Sequence, residues 1–308
     1  MNPFGSRRRI LSGLAVPATC IALLAACGSG SDGGDTATAA TSAPEVSSNA
    51  DIFAKLPEDV QKSKSITVAT EALYPPYEYL AEDGSTVIGL DIDLLDAVTA
   101  RMGIDYELTN TAFDGLQPGL ESKRYRVVMA AMSDTEERRA KFDFVDYYQA
   151  GQAIVVRKGN PENISGLADL CGQPVAVLVS SAQEALLKEV NGAECADDPI
   201  KVTSLQSDTD ALTGVQSGRY VADVAQEPVA RYNAEQVGGG NAFEVANAEP
   251  IRPNPLGVML NKDDDELEAA FAEAFQSLVD DGTYAQILKK SDLASGAITE
   301  VTVNGGTE

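Results

Sequence analysis

From about residue 65 to residue 290, short apolar runs alternate with segments whose apolar positions recur every three or four residues, the spacings of strands and of helices. In the first half, strands are predicted at 65–70 (SITVAT), 106–109 and 127–132. Helices are predicted at 91–102, carried by Ile92, Leu94, Leu95, Val98 and Met102, and at 113–122. A strand at 153–157 leads to a second alternation, with strands at 174–179, 200–204 and 221–225 and helices at 181–190, 208–217 and 227–235. An extended run at 257–261 precedes a helix at 263–281, whose Leu267, Phe271, Phe275 and Leu278 share one face, and a second helix at 284–290. The expected class is α/β: two lobes, each a mostly parallel sheet with flanking helices, the last helices returning to the first lobe. Lobe 1 is assigned 56–155 plus 257–300, lobe 2 156–256, and 301–308 is a C-terminal tail. In such sheets sites lie beyond the carboxyl ends of the strands, where Tyr74, Phe113 and Ser133 fall.

One stretch, YRVVMAAMSDTEERRAKFDFVDYY at 125–148, organises the rest. Its apolar run breaks into a charged helical segment, and both Ser133 with Glu136 and Asp134 with Glu137 have capping-box spacing. Helix-start amides carry the positive end of the dipole, and Arg138 adds a planar fork suited to a carboxylate. The alternative is an ordinary turn whose arginine pairs with a neighbouring acid.

The first 27 residues stand outside this pattern. Arg7, Arg8 and Arg9 precede a mostly apolar stretch that ends Leu24-Ala25-Ala26-Cys27-Gly28. This resembles a bacterial lipoprotein signal, which implies cleavage before Cys27 and its modification by lipid, palmitate included. Ser6-Arg7-Arg8-Arg9-Ile10-Leu11 also resembles a twin-arginine export signal. The Gly/Ser/Thr/Ala-rich segment that follows reads as a flexible linker, assigned 28–55. No later stretch is apolar over about 20 residues, so the expected location is the extracytoplasmic face of the cell membrane, held by lipid alone.

Charge and composition narrow the chemistry. Loss of the three leading arginines leaves 20 basic against 47 acidic residues, a net charge near −27 that repels nucleic acid. Histidine is absent, which excludes Ser-His-Asp, Cys-His and histidine-metal sites. Cys171 and Cys195 are expected to form a disulfide, two free thiols being the alternative. Gly238-Gly239-Gly240 lacks the strand and helix context of a phosphate loop.

Five motifs in order give a resemblance: Tyr74-Pro75-Pro76-Tyr77-Glu78, Gly89-Leu90-Asp91-Ile92-Asp93-Leu94, Phe113-Asp114-Gly115-Leu116-Gln117-Pro118-Gly119-Leu120, Thr135-Glu136-Glu137-Arg138, and Asp280-Asp281-Gly282-Thr283-Tyr284. Over about 60–290 the chain resembles the extracellular solute-binding proteins, family 3, of polar amino acid ABC importers, which have the type II periplasmic-binding fold. The resemblance implies that Tyr74 and Phe113 are aromatic walls and that Arg138, with the Ser133 amide, is the carboxylate clamp. It implies further that Ser180 and Ser181 donate to the same carboxylate from lobe 2, and that Glu71 reads the solute side chain. Gln226 stands where the family usually has an aspartate for the ammonium group, and Ala131 where hydroxyl-bearing residues or glycine are frequent; the Ala131 carbonyl remains usable. Arg126 replaces a common aspartate.

The function so implied is binding of a carboxylate-bearing polar solute, an amino acid or derivative. Hinge closure then delivers it as a monomer to an ABC permease and its ATPase subunit, with no catalytic residue, cofactor or metal. The competing readings are an enzyme of dehydratase or cell-wall lytic type with Glu71 as acid-base group, and a ligand-sensing receptor.

Overall fold

The computed structural model describes residues 46–307. The signal segment with Cys20 and Cys27, and the linker as far as residue 45, lie outside the described residues. The remainder of the expected linker is folded: α1 (Ala50–Lys55) is capped by Asn49, whose Oδ1 accepts from Asp51 N at 2.9 Å, and Ile52 is buried. That helix packs on the helix Asp265–Asp280, so tertiary burial organises a segment whose composition alone promises none.

After α2 (Glu58–Ser63), the first lobe runs β1 (Ser65–Thr70), β2 (Leu73–Tyr74), β3 (Glu78–Leu80), β4 (Val87–Ile88), α3 (Leu90–Met102), β5 (Asp105–Asn110), α4 (Leu116–Glu121), β6 (Val127–Val128) and α5 (Glu136–Arg139). The long β7 (Phe142–Arg157) leads to β8 (Pro174–Leu178), α6 (Ala182–Gly192), β9 (Lys201–Leu205), α7 (Asp208–Gln216), β10 (Ala222–Gln226), α8 (Glu227–Gln236) and β11 (Phe243–Val245). A second long strand, β12 (Ile251–Asn261), returns to α9 (Asp265–Asp280) and α10 (Thr283–Lys290). The order β5-β1-β6-β12-β7-β10-β8-β9 makes β7 and β12 the shared middle of both lobes, with β11 also on β7. Pairing is parallel for β5-β1-β6 and for β10-β8-β9, and antiparallel where the two long strands cross. The register of β12 against β7 shifts twice, between Ile251 and Asn254 and between Leu256 and Gly257.

Apolar burial follows the helical periodicity. Leu94, Leu95 and Val98 of α3 meet Leu267, Phe271, Phe275 and Leu278 of α9 in the first lobe's main core. Val175, Val177, Leu187 and Val190 centre the second lobe's core. Cys171 and Cys195 are disulfide-bonded, their Cα atoms 5.2 Å apart.

Two expectations are corrected. The predicted strand at 127–132 is ladder-paired only at Val127–Val128, because the chain then turns through Ala131, whose φ is +44°. Strand β7 begins at Phe142, well before residue 153, and two of its acids are met by the tail: Thr302 Oγ1 and Gly305 N donate to Asp146 Oδ2, and Asn304 Nδ2 to Asp143 Oδ1.

Candidate functional site

The carboxyl ends of β1, β5, β6, β8 and β10 converge on one small cavity, lined by Tyr74, Phe113, Ala131, Ser133, Arg138, Leu178, Ser181, Ala182, Gln183 and Gln226. Its volume is about 10 Å³, the scale of one water molecule. A groove of about 800 Å³ opens beside it, sharing Arg138, Ser181 and Ala182 and continuing over Glu136, Glu137 and Ser180.

Arg138 is the centre of this region. It is 6% exposed; Nη1 donates to the Ser133 carbonyl at 2.8 Å and Nη2 to the Ser180 carbonyl of the other lobe at 3.1 Å. Its guanidinium lies 5.9 Å from the Phe113 ring centroid, within cation–π range. Burial pulls it down to about 10, against the opposing pull of Glu137 and Asp134, so it stays charged at neutral pH. Among the described residues it forms no ion pair within 4.0 Å, and its guanidinium donates to two carbonyl oxygens.

The helix start before Arg138 is not built as its spacing suggests. Thr135 is the N-cap, accepting from Arg138 N, and α5 has only four residues. Ser133 instead bridges to Leu256, while the Asp134 carboxylate accepts from Arg139 Nη1 at 2.8 Å and from Gly306 N at 2.7 Å. Contacts from β12 and from the tail therefore displace the local capping pattern, and the cation at this point is the Arg138 side chain rather than a long helix's dipole.

Gln226, the last residue of β10, locks the lobes from the opposite side. Its amide N–H donates to the Tyr74 hydroxyl at 3.0 Å and its Nε2 to the Ala131 carbonyl at 2.7 Å, leaving Oε1 buried and unpartnered. Tyr74 is 7% exposed and stacks on Tyr77 at 6.2 Å, whereas Phe113 is half-buried. Ser181 caps α6, its Oγ accepting from Glu184 N at 3.1 Å. Ser180, at φ +60°, gives its own N–H to Glu184 Oε2 at 2.7 Å, so in this closed arrangement it turns its carbonyl toward Arg138.

Glu71 is 3% exposed and lies off the lining of the small cavity. Burial first and Asp208 second push its carboxyl up to about 7. Sequence reasoning passed over Gln183, whose Nε2 donates to Gln152 Oε1 at 2.6 Å beneath the cavity, and over Asp208 and Asp223, buried at the start of α7 and within β10. A glutamine two residues into a helix that follows a strand was the available signal for the first. The aspartates carry no spacing signal, since only lobe closure brings them near Glu71.

The chain is 30% identical over 250 residues to the lysine/arginine/ornithine-binding periplasmic protein of Escherichia coli, covering 80% of this chain and 92% of that one. It is 28% identical to the L-cystine-binding protein TcyA of Bacillus subtilis, covering 88% and 92%. Among solved structures, an ancestral arginine-binding protein bound to arginine is 34% identical with a TM-score of 0.68, covering 74% of this chain and 97% of that one. The pattern of the bacterial extracellular solute-binding proteins, family 3, matches residues 66–291, and the chain belongs to that family.

Proposed function

We propose that the protein binds a free amino acid between its lobes and presents it to an ABC importer, with Arg138 taking the solute carboxylate. The observation that carries the reading is a buried guanidinium held by two carbonyl oxygens and no carboxylate. A charge taken from water without a counter-ion is costly, and a bidentate carboxylate supplies what the Ser133 and Ser180 carbonyls supply only in part. Relatives named for binding arginine, lysine and cystine support the same class.

The remaining residues take roles around that anchor. Tyr74 and Phe113 flank the solute, and the Ser133 and Ser181 amides add donors to its carboxylate. The Ala131 carbonyl and Gln226 Oε1 accept from its ammonium group, a neutral substitute for an acidic side chain. A cavity of about 10 Å³ cannot hold an amino acid, so the lobes part at the β7–β12 crossing before uptake and re-form around the solute. Parting breaks the bonds from Gln226 to Tyr74 and Ala131 and from Arg138 to Ser180, which the solute then replaces. Lipid at Cys27 would keep the binder, acting as a monomer, beside the permease and its ATPase subunit on the outer face of the membrane. Among the described residues no helix is long and apolar enough to cross one.

The test is titration calorimetry of the purified protein against the twenty amino acids. One or more binds, and Arg138→Ala weakens that binding by about 100-fold or more, the loss of two charge-assisted hydrogen bonds. Full-strength binding to the Arg138→Ala variant would defeat the assignment.

A further inference from the structure

The stretch that matches the family ends at residue 291, and the chain beyond it returns to the site. Among the described residues no helix or strand follows residue 296, so this segment is held by what it crosses. Around Val303 it runs antiparallel along the edge of β7 opposite β12. There Asp146 N donates to the Thr302 carbonyl and Asn304 N to the Phe144 carbonyl, both at 2.9 Å. Phe144 N donates to Asn304 Oδ1 at 3.0 Å, so three main-chain groups on that edge are paired by the tail. Past residue 304 the tail leaves β7: Gly306 N donates to Asp134 Oδ2 at 2.7 Å, and Thr307 N to Asn254 Oδ1 at 3.2 Å.

Both of these last acceptors belong to the surroundings of Arg138. Asp134 follows Ser133, whose carbonyl receives Arg138 Nη1. It is fully buried, and every polar group it has is engaged. Its N–H donates to the Pro255 carbonyl at 2.9 Å, and its carbonyl accepts from Asn254 Nδ2 at 2.5 Å and from Arg139 Nη1 at 3.0 Å. Its carboxylate accepts from Arg139 Nη1 at 2.8 Å and from Gly306 N. Asn254 stands on β12 at a shift of register against β7. A helix of four residues does not fix its own direction, so the turn from Ser133 to Arg138 is oriented by β12 and the tail.

We propose that residues 302–307 form a strap that keeps the carboxylate clamp aimed into the open cleft, with Gly306 as its positioning residue. The inference rests on the assignment of the solute carboxylate to Arg138. When the lobes part, the guanidinium loses the Ser180 carbonyl and retains that of Ser133. The strap's partners are Asp134, β7 at 143–146 and Asn254, so it stays in place when Ser180 withdraws. An incoming carboxylate therefore meets a guanidinium already oriented, and less conformational freedom is lost on binding. Glycine is required at 306 because a Cβ there would run into the Asp134 carbonyl and the Arg139 guanidinium.

The experiment compares Gly306→Ala, and a chain that stops at residue 300, with the parent protein. Titration calorimetry uses an amino acid that the parent binds, and hydrogen exchange follows the amides of 132–140 without solute. Gly306→Ala keeps the parent's circular dichroism, exchanges faster at 132–140 and binds about tenfold more weakly, the scale of one misdirected charge-assisted hydrogen bond. The shortened chain, where it folds, loses at least as much. Cys171→Ser with Cys195→Ser, which removes a structural bridge away from the strap, keeps its affinity within about twofold and so separates positioning from general stability. Affinity within about twofold of the parent in Gly306→Ala overturns the strap and leaves Arg138 as the clamp. A loss in the cysteine variant equal to that in Gly306→Ala assigns the effect to general stability and overturns the strap too. Absence of binding by all twenty amino acids, or full-strength binding by Arg138→Ala, overturns the reading on which the strap rests.

Discussion

Ala131 shows how a single residue of the cleft is held in place. Its φ of +44° lies in the left-handed region, which costs a residue with a Cβ about 1 kcal/mol. The Asp91 carboxylate offsets that cost, Oδ2 accepting from Ala131 N at 2.8 Å and from the Tyr147 hydroxyl at 2.7 Å. Glu78, 1% exposed, lies against Asp91, and burial followed by that neighbouring charge raises its carboxyl well above the usual range. Glu78 is therefore the neutral partner, its proton lying between the two carboxyl groups. Asp91→Ala leaves two buried donors unpaired and is expected to cost about 3 kcal/mol in urea unfolding. It also frees the Ala131 carbonyl that faces Gln226, so affinity for the solute falls as well. Glu78→Gln keeps a neutral donor and is expected to stay within about 1 kcal/mol of the parent. A larger loss from Glu78→Gln than from Asp91→Ala would reverse the assignment of the proton.

At the scale of elements, the disulfide and the site occupy opposite ends of one strand. Cys171 precedes β8, whereas Leu178 at its other end and the residues just beyond it line the cavity. Closing a loop with a sequence separation of 24 stabilises by roughly 3 kcal/mol in the chain-entropy model. Reduction, or Cys171→Ser with Cys195→Ser, should lower unfolding stability by about that amount and leave solute affinity within about twofold; a loss of affinity equal to that in Arg138→Ala would place the bridge in the binding machinery. Elements held by their own periodicity were legible in the sequence, α3 and α9 above all, because one apolar face meets one core. Strand β7 was not, since Asp143, Asp146 and Gln149 interrupt its apolar run. The first two accept hydrogen bonds from residues 302–305, some 160 positions away in sequence. The capping spacing at Ser133 and Asp134 misled for the same reason, because Gly306 and Pro255 take the groups that a local cap would use. In the cleft, Tyr74, Phe113 and Arg138 were placed by motif order, Ser133 by the break between strand and helix, and Gln226 by the position of the family's usual aspartate. Asp208 and Asp223 were not singled out, because their burial beside one another depends on the packing of α7 against β10.

For the molecule as a whole, closure brings acid against acid, and this fixes how its shape responds to pH. Glu71 on the first lobe faces Asp208 on the second and Asp114 on its own; Asp208 faces Asp223 and Asn233. In the closed form burial, then Asp208, raises the Glu71 carboxyl from 4.5 to about 7, and burial raises Asp208 and Asp223 as well. A carboxyl whose pKa is higher in the closed form binds more protons there, so closed-state stability is fully present below about pH 4.5 and is lost as pH rises through about 7. The solute-free protein is accordingly expected to be compact at pH 5 and to open toward pH 7.5. A melting curve would not isolate this effect, because Asp146 beneath the tail, pushed by burial up to about 7, destabilises the fold over the same range without touching the cleft. Small-angle scattering reads closure directly: the radius of gyration rises with pH in the empty protein and stays low when an amino acid that it binds is present. Glu71→Gln combined with Asp208→Asn removes the charges that oppose closure, so the rise flattens while the Asp146 contribution to melting remains. A radius of gyration constant from pH 5 to pH 7.5 in the parent protein would mean that these carboxyl groups do not govern the hinge.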